Sequence, residues 1–255
     1  MTQAEDTYHF DTLAVHAGQT PDIATNARAV PIYQTASYVV NSSEEMHQIF
    51  NGQKKGFIYT RTGNPTNEVF EKRMAMLENG LAATATSCGT AANFLVFSVL
   101  CSPGDNIVSS SFVHGGTFLQ ARISLKRMGI EVRMAPSVEA MELEKLVDAN
   151  TKCVFVESVS NPKLCVPDFN QVAEMAHRHG IPLVVDSTCG MGGYLVRPLD
   201  HGADVVTHSA TKWINGHGTT VGGVVVDKGT FEWGNGKFPN FTAPMKFLGN
   251  RSPVE

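Results

Sequence analysis

No apolar run in this 255-residue chain approaches the ~20 residues that a bilayer-crossing helix needs, so no membrane span is expected. CxxC spacing is missing too. The five cysteines, Cys88, Cys101, Cys153, Cys165 and Cys189, are an odd set, and four lie within or at the ends of apolar stretches. They read as reduced, mostly buried thiols, which excludes a disulfide frame and a zinc site; no metal is expected. A basic stripe is also absent. Twenty Lys and Arg stand against 24 Asp and Glu, interspersed, for a net charge of −4. A nucleic-acid partner is therefore not expected. The opening "MTQAEDTYHFDTLAVHAG" has neither the basic-then-apolar order of a signal peptide nor the arginine-rich, acid-poor character of a transit peptide. The expected address is the cytoplasm. Internal repeats and low-complexity tracts are lacking.

What is present is an apolar content of 42%, enough for one large core or two modest ones. From about residue 80, short apolar runs alternate with helical patterns. Strands are expected at 81–87, 106–111, 131–135, 153–158, 181–188, 203–209 and 222–227. Apolar residues in 138–150 recur at helical spacing. Another helix should start at Asp168, with Gln171 completing a capping box and Gly180 as the stop, which places His177 and His179 at its C-terminus. This alternation predicts an α/β fold with a mainly parallel sheet, helices on both faces, and functional residues at the carboxyl ends of the strands. Residues 1–60 differ: they are polar and rich in turn formers, and read as an extended N-terminal arm ahead of a domain spanning 61–255.

Within "HSATKWINGHGTTVGG", Lys212 is a lone cation among small, hydroxylated and glycine residues. Ser209 and Thr211 flank it with hydroxyls suited to an anion. Gly89 and Thr90 follow a strand and open a helix, where free N–H groups favour a phosphate. Asp186 ends the strand "IPLVVD", and His114 lies beside glycines after another strand. A phosphate cradle, a buried carboxylate, an aromatic ring and a lysine whose burial would lower its pKa describe a pyridoxal 5'-phosphate site.

The stretch "DVVTHSATKWINGHG" resembles the lysine signature of the cysteine and methionine metabolism family of pyridoxal phosphate enzymes. "AVPIYQTASYVV", "IYTRTGNPT", "SCGTAANF", "FVHGGTF", "ESVSNP" and "VVDST" follow the family's order across roughly residues 10 to 240. "HAGQTPD", "RAVPIY" and "SATKWINGHGTTVGGVVVDKGTFEW" look most like its O-acetylhomoserine sulfhydrylase branch. The resemblance implies the large domain of the aspartate-aminotransferase-like fold, fold type I. It makes Lys212 the Schiff-base lysine and proton shuttle, and Asp186 the partner of the pyridine nitrogen. Asn161 would lie near the phenolic oxygen, Gly89, Thr90, Ser209 and Thr211 would bind the phosphate, and Thr188 would join the cofactor contacts. Tyr59 and Arg61 would reach the phosphate of a neighbouring subunit, in a homo-oligomer built as a dimer of dimers with shared sites.

The implied reaction is γ-substitution on an activated homoserine ester, a small amino-acid substrate. The alternatives are γ-lyase or cystathionine-synthase chemistry, carbon–carbon bond formation by the same route, or a truncated, non-catalytic partner subunit. Two departures stand out. His114 occupies the place of the family's usual tyrosine, where it would stack on the cofactor. After "GKFPNFTAP" the text "MKFLGNRSPVE" leaves the family pattern, so the smaller C-terminal domain is expected to be absent.

Overall fold

A computed structural model describes residues 8–245 and Ser252; the expected departure from the family pattern falls mostly on residues 246–255, which apart from Ser252 lie outside the described residues. Among the described residues seven strands form one sheet, with β1 at Ala82–Thr86, β2 at Asn106–Ser110, β3 at Glu131–Ala135, β4 at Thr151–Glu157, β5 at Leu183–Asp186, β6 at Val205–His208 and β7 at Gly223–Asp227. Their order is β1-β7-β6-β5-β4-β2-β3. The β3, β2, β4, β5 and β6 neighbours pair in parallel, whereas β7 runs antiparallel to both β6 and β1. All seven expected strands are present, each within the predicted window or a residue or two of it.

Side-chain alternation divides the core between the two faces of this sheet. Val154 and Val156 of β4, with Leu183 and Val185 of β5, enter one apolar cluster. Cys153, Phe155 and Val184 from the same strands enter the other. Burial on both faces explains why these strands read as continuous apolar runs rather than alternating ones. Helix α7 (Phe169–Arg178) covers the first face. The second is covered by α4 (Gly89–Leu100), whose Phe97 meets Phe155 edge-on with ring centroids 5.0 Å apart.

Local chemistry sets the helix ends. Asp168 caps α7 by accepting the Gln171 N–H at 3.1 Å, and Gly180 adopts φ +65°, the left-handed stop that glycine tolerates best. The Gln171 side chain bonds the Asp168 carboxylate at 2.8 Å rather than the backbone N–H of a standard capping box. His177 and His179 do sit at this C-terminus, and each has an acidic partner, Asp204 at 2.8 Å and Glu144 at 2.9 Å. The expected helix over 138–150 shortens to α6 (Ala140–Glu144). Beyond Glu144 the backbone tightens to i→i+3 bonds at Leu146 and Val147, and Asp148 then turns its side chain onto the Asn150 N–H.

Residues 8–60 contain two short helices, α1 (Phe10–His16) and α2 (Ser43–Phe50), separated by a stretch with no regular element beyond a bridge from Ser37 to Tyr59. Phe10, Leu13 and Ala14 of α1 pack against the first core cluster, which includes Met74 and Leu77 of α3 (Pro65–Leu77). The cysteines are all free, but only Cys101 and Cys153 are buried; Cys88, Cys165 and Cys189 are half-exposed, so "mostly buried" overstated their enclosure. Cys88 and Cys189 face a cleft, which is why they escape burial. Among the described residues no helix is long and apolar enough to cross a membrane.

Phe155→Ala should remove a side chain that is almost wholly enclosed and leave a cavity, lowering stability by about 3–5 kcal/mol. Urea unfolding monitored by circular dichroism measures this.

Candidate active site

A cavity of about 930 Å³ opens at the carboxyl ends of β2, β4, β5 and β6. Nine of the eleven sequence-predicted site residues line it: Gly89, Thr90, His114, Asn161, Asp186, Thr188, Ser209, Thr211 and Lys212. Tyr59 and Arg61 do not. They lie on the loop before α3, with the Arg61 guanidinium 5.5 Å from the centroid of the exposed Tyr59 ring.

At one end of the cavity, Cys88 caps α4 through its sulfur, which accepts the Ala91 N–H at 3.4 Å. The N–H groups of Gly89 and Thr90, in the first turn of α4, therefore have no acceptor within the helix. Gly89 packs so closely that a Cβ there would lie 2.6 Å from the Ser209 Cβ. The Ser209 N–H donates to Thr188 Oγ1 at 2.8 Å. The hydroxyl of Thr211 is already engaged, donating to the Gly222 carbonyl at 3.2 Å and accepting the Gly222 N–H at 3.1 Å. Its proton is thus turned to the glycine loop rather than to the cavity.

Asp186 is held through both oxygens. Oδ1 accepts from Thr188 Oγ1 at 2.6 Å and from the Thr188 N–H at 3.1 Å; Oδ2 accepts from Asn93 Nδ2 at 3.0 Å. Asn93, buried on α4, accepts in turn from Thr207 Oγ1 at 2.5 Å. The Asp186 carboxylate is only half-buried, because its strand ends there and its side chain emerges into the cavity. Lys212 differs from expectation in the same way. It is exposed rather than buried, since it follows β6 on an open glycine-rich loop, and among the described residues its ammonium has no hydrogen-bond or ion-pair partner.

His114 caps the short helix α5 (Gly115–Leu119): its Nδ1 accepts the Gly116 N–H at 3.1 Å, which leaves the proton of the neutral ring on Nε2. Below it lies Glu157, which the motif reading passed over inside "ESVSNP". Glu157 ends β4 directly opposite Asp186, which ends β5. Burial pushes its carboxyl up to about 7; the backbone N–H groups of His114 and Asn161 oppose the shift, and the nearby Asp186 charge adds to it. Burial, Glu157 and Asp186 also raise the Cys189 thiol. Asn93 was missed as well. Its signal was weak, one of two polar residues, with Ser98, in the apolar helix "AANFLVFSVL".

The sequence model of the Cys/Met metabolism PLP-dependent enzyme family matches residues 11–245. The chain belongs to this family. It is 54% identical to homocysteine synthase of Schizosaccharomyces pombe over 92% of its own length and 56% of that protein's. With O-acetyl-L-homoserine sulfhydrylase 1 of Thermus thermophilus the identity is 49%, over 92% of this chain and 56% of the other. The chain thus spans about half the length of the curated relatives it matches. Among solved structures it resembles a putative O-acetylhomoserine (thiol)-lyase from Campylobacter jejuni, solved with N'-pyridoxyl-lysine-5'-monophosphate, with a TM-score of 0.92, 32% identity, and coverage of 97% of this chain and 62% of that one. The fold is accordingly that of the fold type I PLP enzymes, and the cofactor of the family is pyridoxal 5'-phosphate.

The shift of Glu157 has a signed consequence. Its folded value of about 7 lies above its ordinary value of 4.5, so between those limits the folded state holds more of this proton than the unfolded state does. Its contribution should fall as pH rises through this window, by on the order of 3 kcal/mol. Urea unfolding of the cofactor-free protein across the window should show this loss, and Glu157→Gln should flatten it.

Proposed function

We propose that this chain carries the cofactor-binding machinery of a γ-substitution enzyme, replacing the acetate of O-acetylhomoserine with sulfide to give homocysteine. The observation that carries the reading is the convergence, in one cavity, of Lys212, whose ammonium has no partner among the described residues, a half-exposed Asp186 oxygen pair and the open first turn of α4 beside Ser209. Residues 61–255 are read as the PLP-binding large domain and 1–60 as its arm. The names of the relatives supply the ester and the nucleophile.

The donor set fits the cofactor. Gly89 and Thr90 N–H and the Ser209 hydroxyl would hold its phosphate, in a cradle packed so tightly that a Cβ at position 89 would collide with Ser209. Thr211 would add a donor once its hydroxyl turns from Gly222. Asp186, oriented by Asn93 and Thr188, would face the pyridine nitrogen; Asn161 would face the phenolic oxygen, and His114 would cover the ring. When bound, pyridoxal 5'-phosphate supplies an electron sink for charge that develops at the substrate α-carbon. Lys212 Nζ, without a partner among the described residues, would hold the cofactor and then move protons at the substrate's α- and β-carbons. Tyr59 and Arg61 lie exposed and outside their own chain's cavity, which supports a role at a neighbouring subunit's phosphate in a homo-oligomer.

Borohydride reduction of the protein loaded with pyridoxal 5'-phosphate, followed by peptide mapping, should place the pyridoxyl group on Lys212; labelling of a different lysine would end this reading. With O-acetylhomoserine and sulfide, homocysteine should accumulate, whereas 2-oxobutanoate in its place would assign elimination.

Gly89→Ala should weaken cofactor binding about tenfold or more, because its methyl would crowd Ser209 at the phosphate cradle. Fluorescence titration with pyridoxal 5'-phosphate measures the change, and an unaltered far-ultraviolet circular dichroism spectrum confirms that the variant is folded.

A further inference from the structure

Glu157 is buried, ionisable and directly under the cavity, yet none of the roles above uses it. Its two oxygens serve two different loops. Oε1 accepts the backbone N–H of His114 at 2.6 Å, and Oε2 accepts the backbone N–H of Asn161 at 3.0 Å. His114 ends the turn between β2 and α5, and Asn161 lies in the loop after β4. The two loops come from different parts of the chain and meet on one side chain.

We propose that the Glu157 carboxylate is a positioning clamp that sets the His114 and Asn161 loops relative to each other, and that its protonation loosens one of them. The assignment of those loops to the cofactor ring and its phenolic oxygen rests on the function proposed above; the clamp itself rests on this chain's geometry. An ionised carboxylate accepts at both oxygens. A protonated one carries hydrogen on one oxygen, which then faces an N–H donor and cannot serve it as well. The chemistry is a single proton exchanged with solvent through the cavity.

Burial has pushed this carboxyl up to about 7, so the proton exchanges near neutrality. Five other titratable groups line the same cavity: His114, Cys88 at the start of α4, Asp186 from the end of β5, Cys189 from the turn after β5, and Lys212 from the loop after β6. The imidazole belongs to the residue whose backbone N–H the carboxylate holds. It must be separated from Glu157 by experiment.

The test begins with the cofactor-free protein, labelled with nitrogen-15 throughout and with carbon-13 at glutamate carboxyls. The Glu157 carboxyl carbon and the amide protons of His114 and Asn161 should shift with one common midpoint near neutrality, the amides moving downfield as the carboxylate forms. His114→Phe keeps its backbone N–H and should keep this shared titration, whereas Glu157→Gln should abolish it at both amides. Amides that stay still, titrate with separate midpoints, or lose their response in His114→Phe would overturn the clamp. The wild-type titration stands even if Glu157→Gln does not fold.

A second measurement separates the clamp from the proposed function. On protein loaded with pyridoxal 5'-phosphate, the visible circular dichroism reports how asymmetrically the ring is held. Glu157→Gln should lower this signal at least twofold while Lys212 still takes the pyridoxyl label; an unchanged signal would refute the positioning role. A shared amide titration in a chain that fails to bind pyridoxal 5'-phosphate would overturn the function while leaving the clamp in place.

Discussion

A sheet covered on both faces gives polar side chains few places to stand, because a strand interior offers them neither water nor spare backbone partners. In this chain β4 beyond Thr151 and Lys152, and β5 and β6 throughout, are apolar until their last residues, where Glu157, Asp186, Thr207 and His208 appear. Parallel pairing then does the assembly. Since β4, β5 and β6 run the same way, their carboxyl ends share one edge, and the register sets Glu157 against Asp186 and Asp186 against Thr207. The clustering of chemistry at this edge follows from the apolar content of the strands as much as from the polar residues themselves.

Holding the cluster in shape requires partners from outside the sheet. Asn93 supplies one. As an amide it both donates and accepts, so a single side chain on α4 joins the Asp186 carboxylate to the Thr207 hydroxyl. Thr188 does the corresponding work on the other oxygen, donating to Asp186 while accepting the Ser209 N–H. The proposed nitrogen-facing acid and the proposed phosphate cradle are therefore linked by one hydroxyl. A change at Thr188 would disturb both ends of the cavity, although the residue lies at neither.

The strands were legible because two-face burial writes unbroken apolar runs, and the ends of α7 because Asp168 and Gly180 carry unambiguous start and stop chemistry. Lys212 and Asp186 were legible as outliers in their surroundings. Glu157 and Asn93 were not, because their importance lies in pairing across 43 and 93 residues of sequence, which no local spacing encodes. Thr211 shows the reverse limit. Its hydroxyl looks free in the text "SATK", and only the fold reveals that Gly222 has claimed it. The exposure of Lys212 was misjudged for a related reason: a polar signature marks a functional loop but does not say how much protein covers it.

The loop that carries Lys212 is open and glycine-rich, so its position must be fixed from below. His208, the residue before Ser209, is fully enclosed, and its Nε2 meets Glu78 Oε1 at 2.7 Å. Among the described residues Glu78 Oε2 and His208 Nδ1 have no partner. Enclosing such a pair with polar atoms left over costs stability, and an apolar pair of similar volume would pack there at lower cost. What the polar pair adds is direction. A hydrogen bond of fixed length ties the end of β6 to the C-terminal end of α3, whose other end follows the loop bearing Tyr59 and Arg61. The Lys212 loop and the helix behind that arginine thus share an anchor that an apolar contact, free to slide, would not provide.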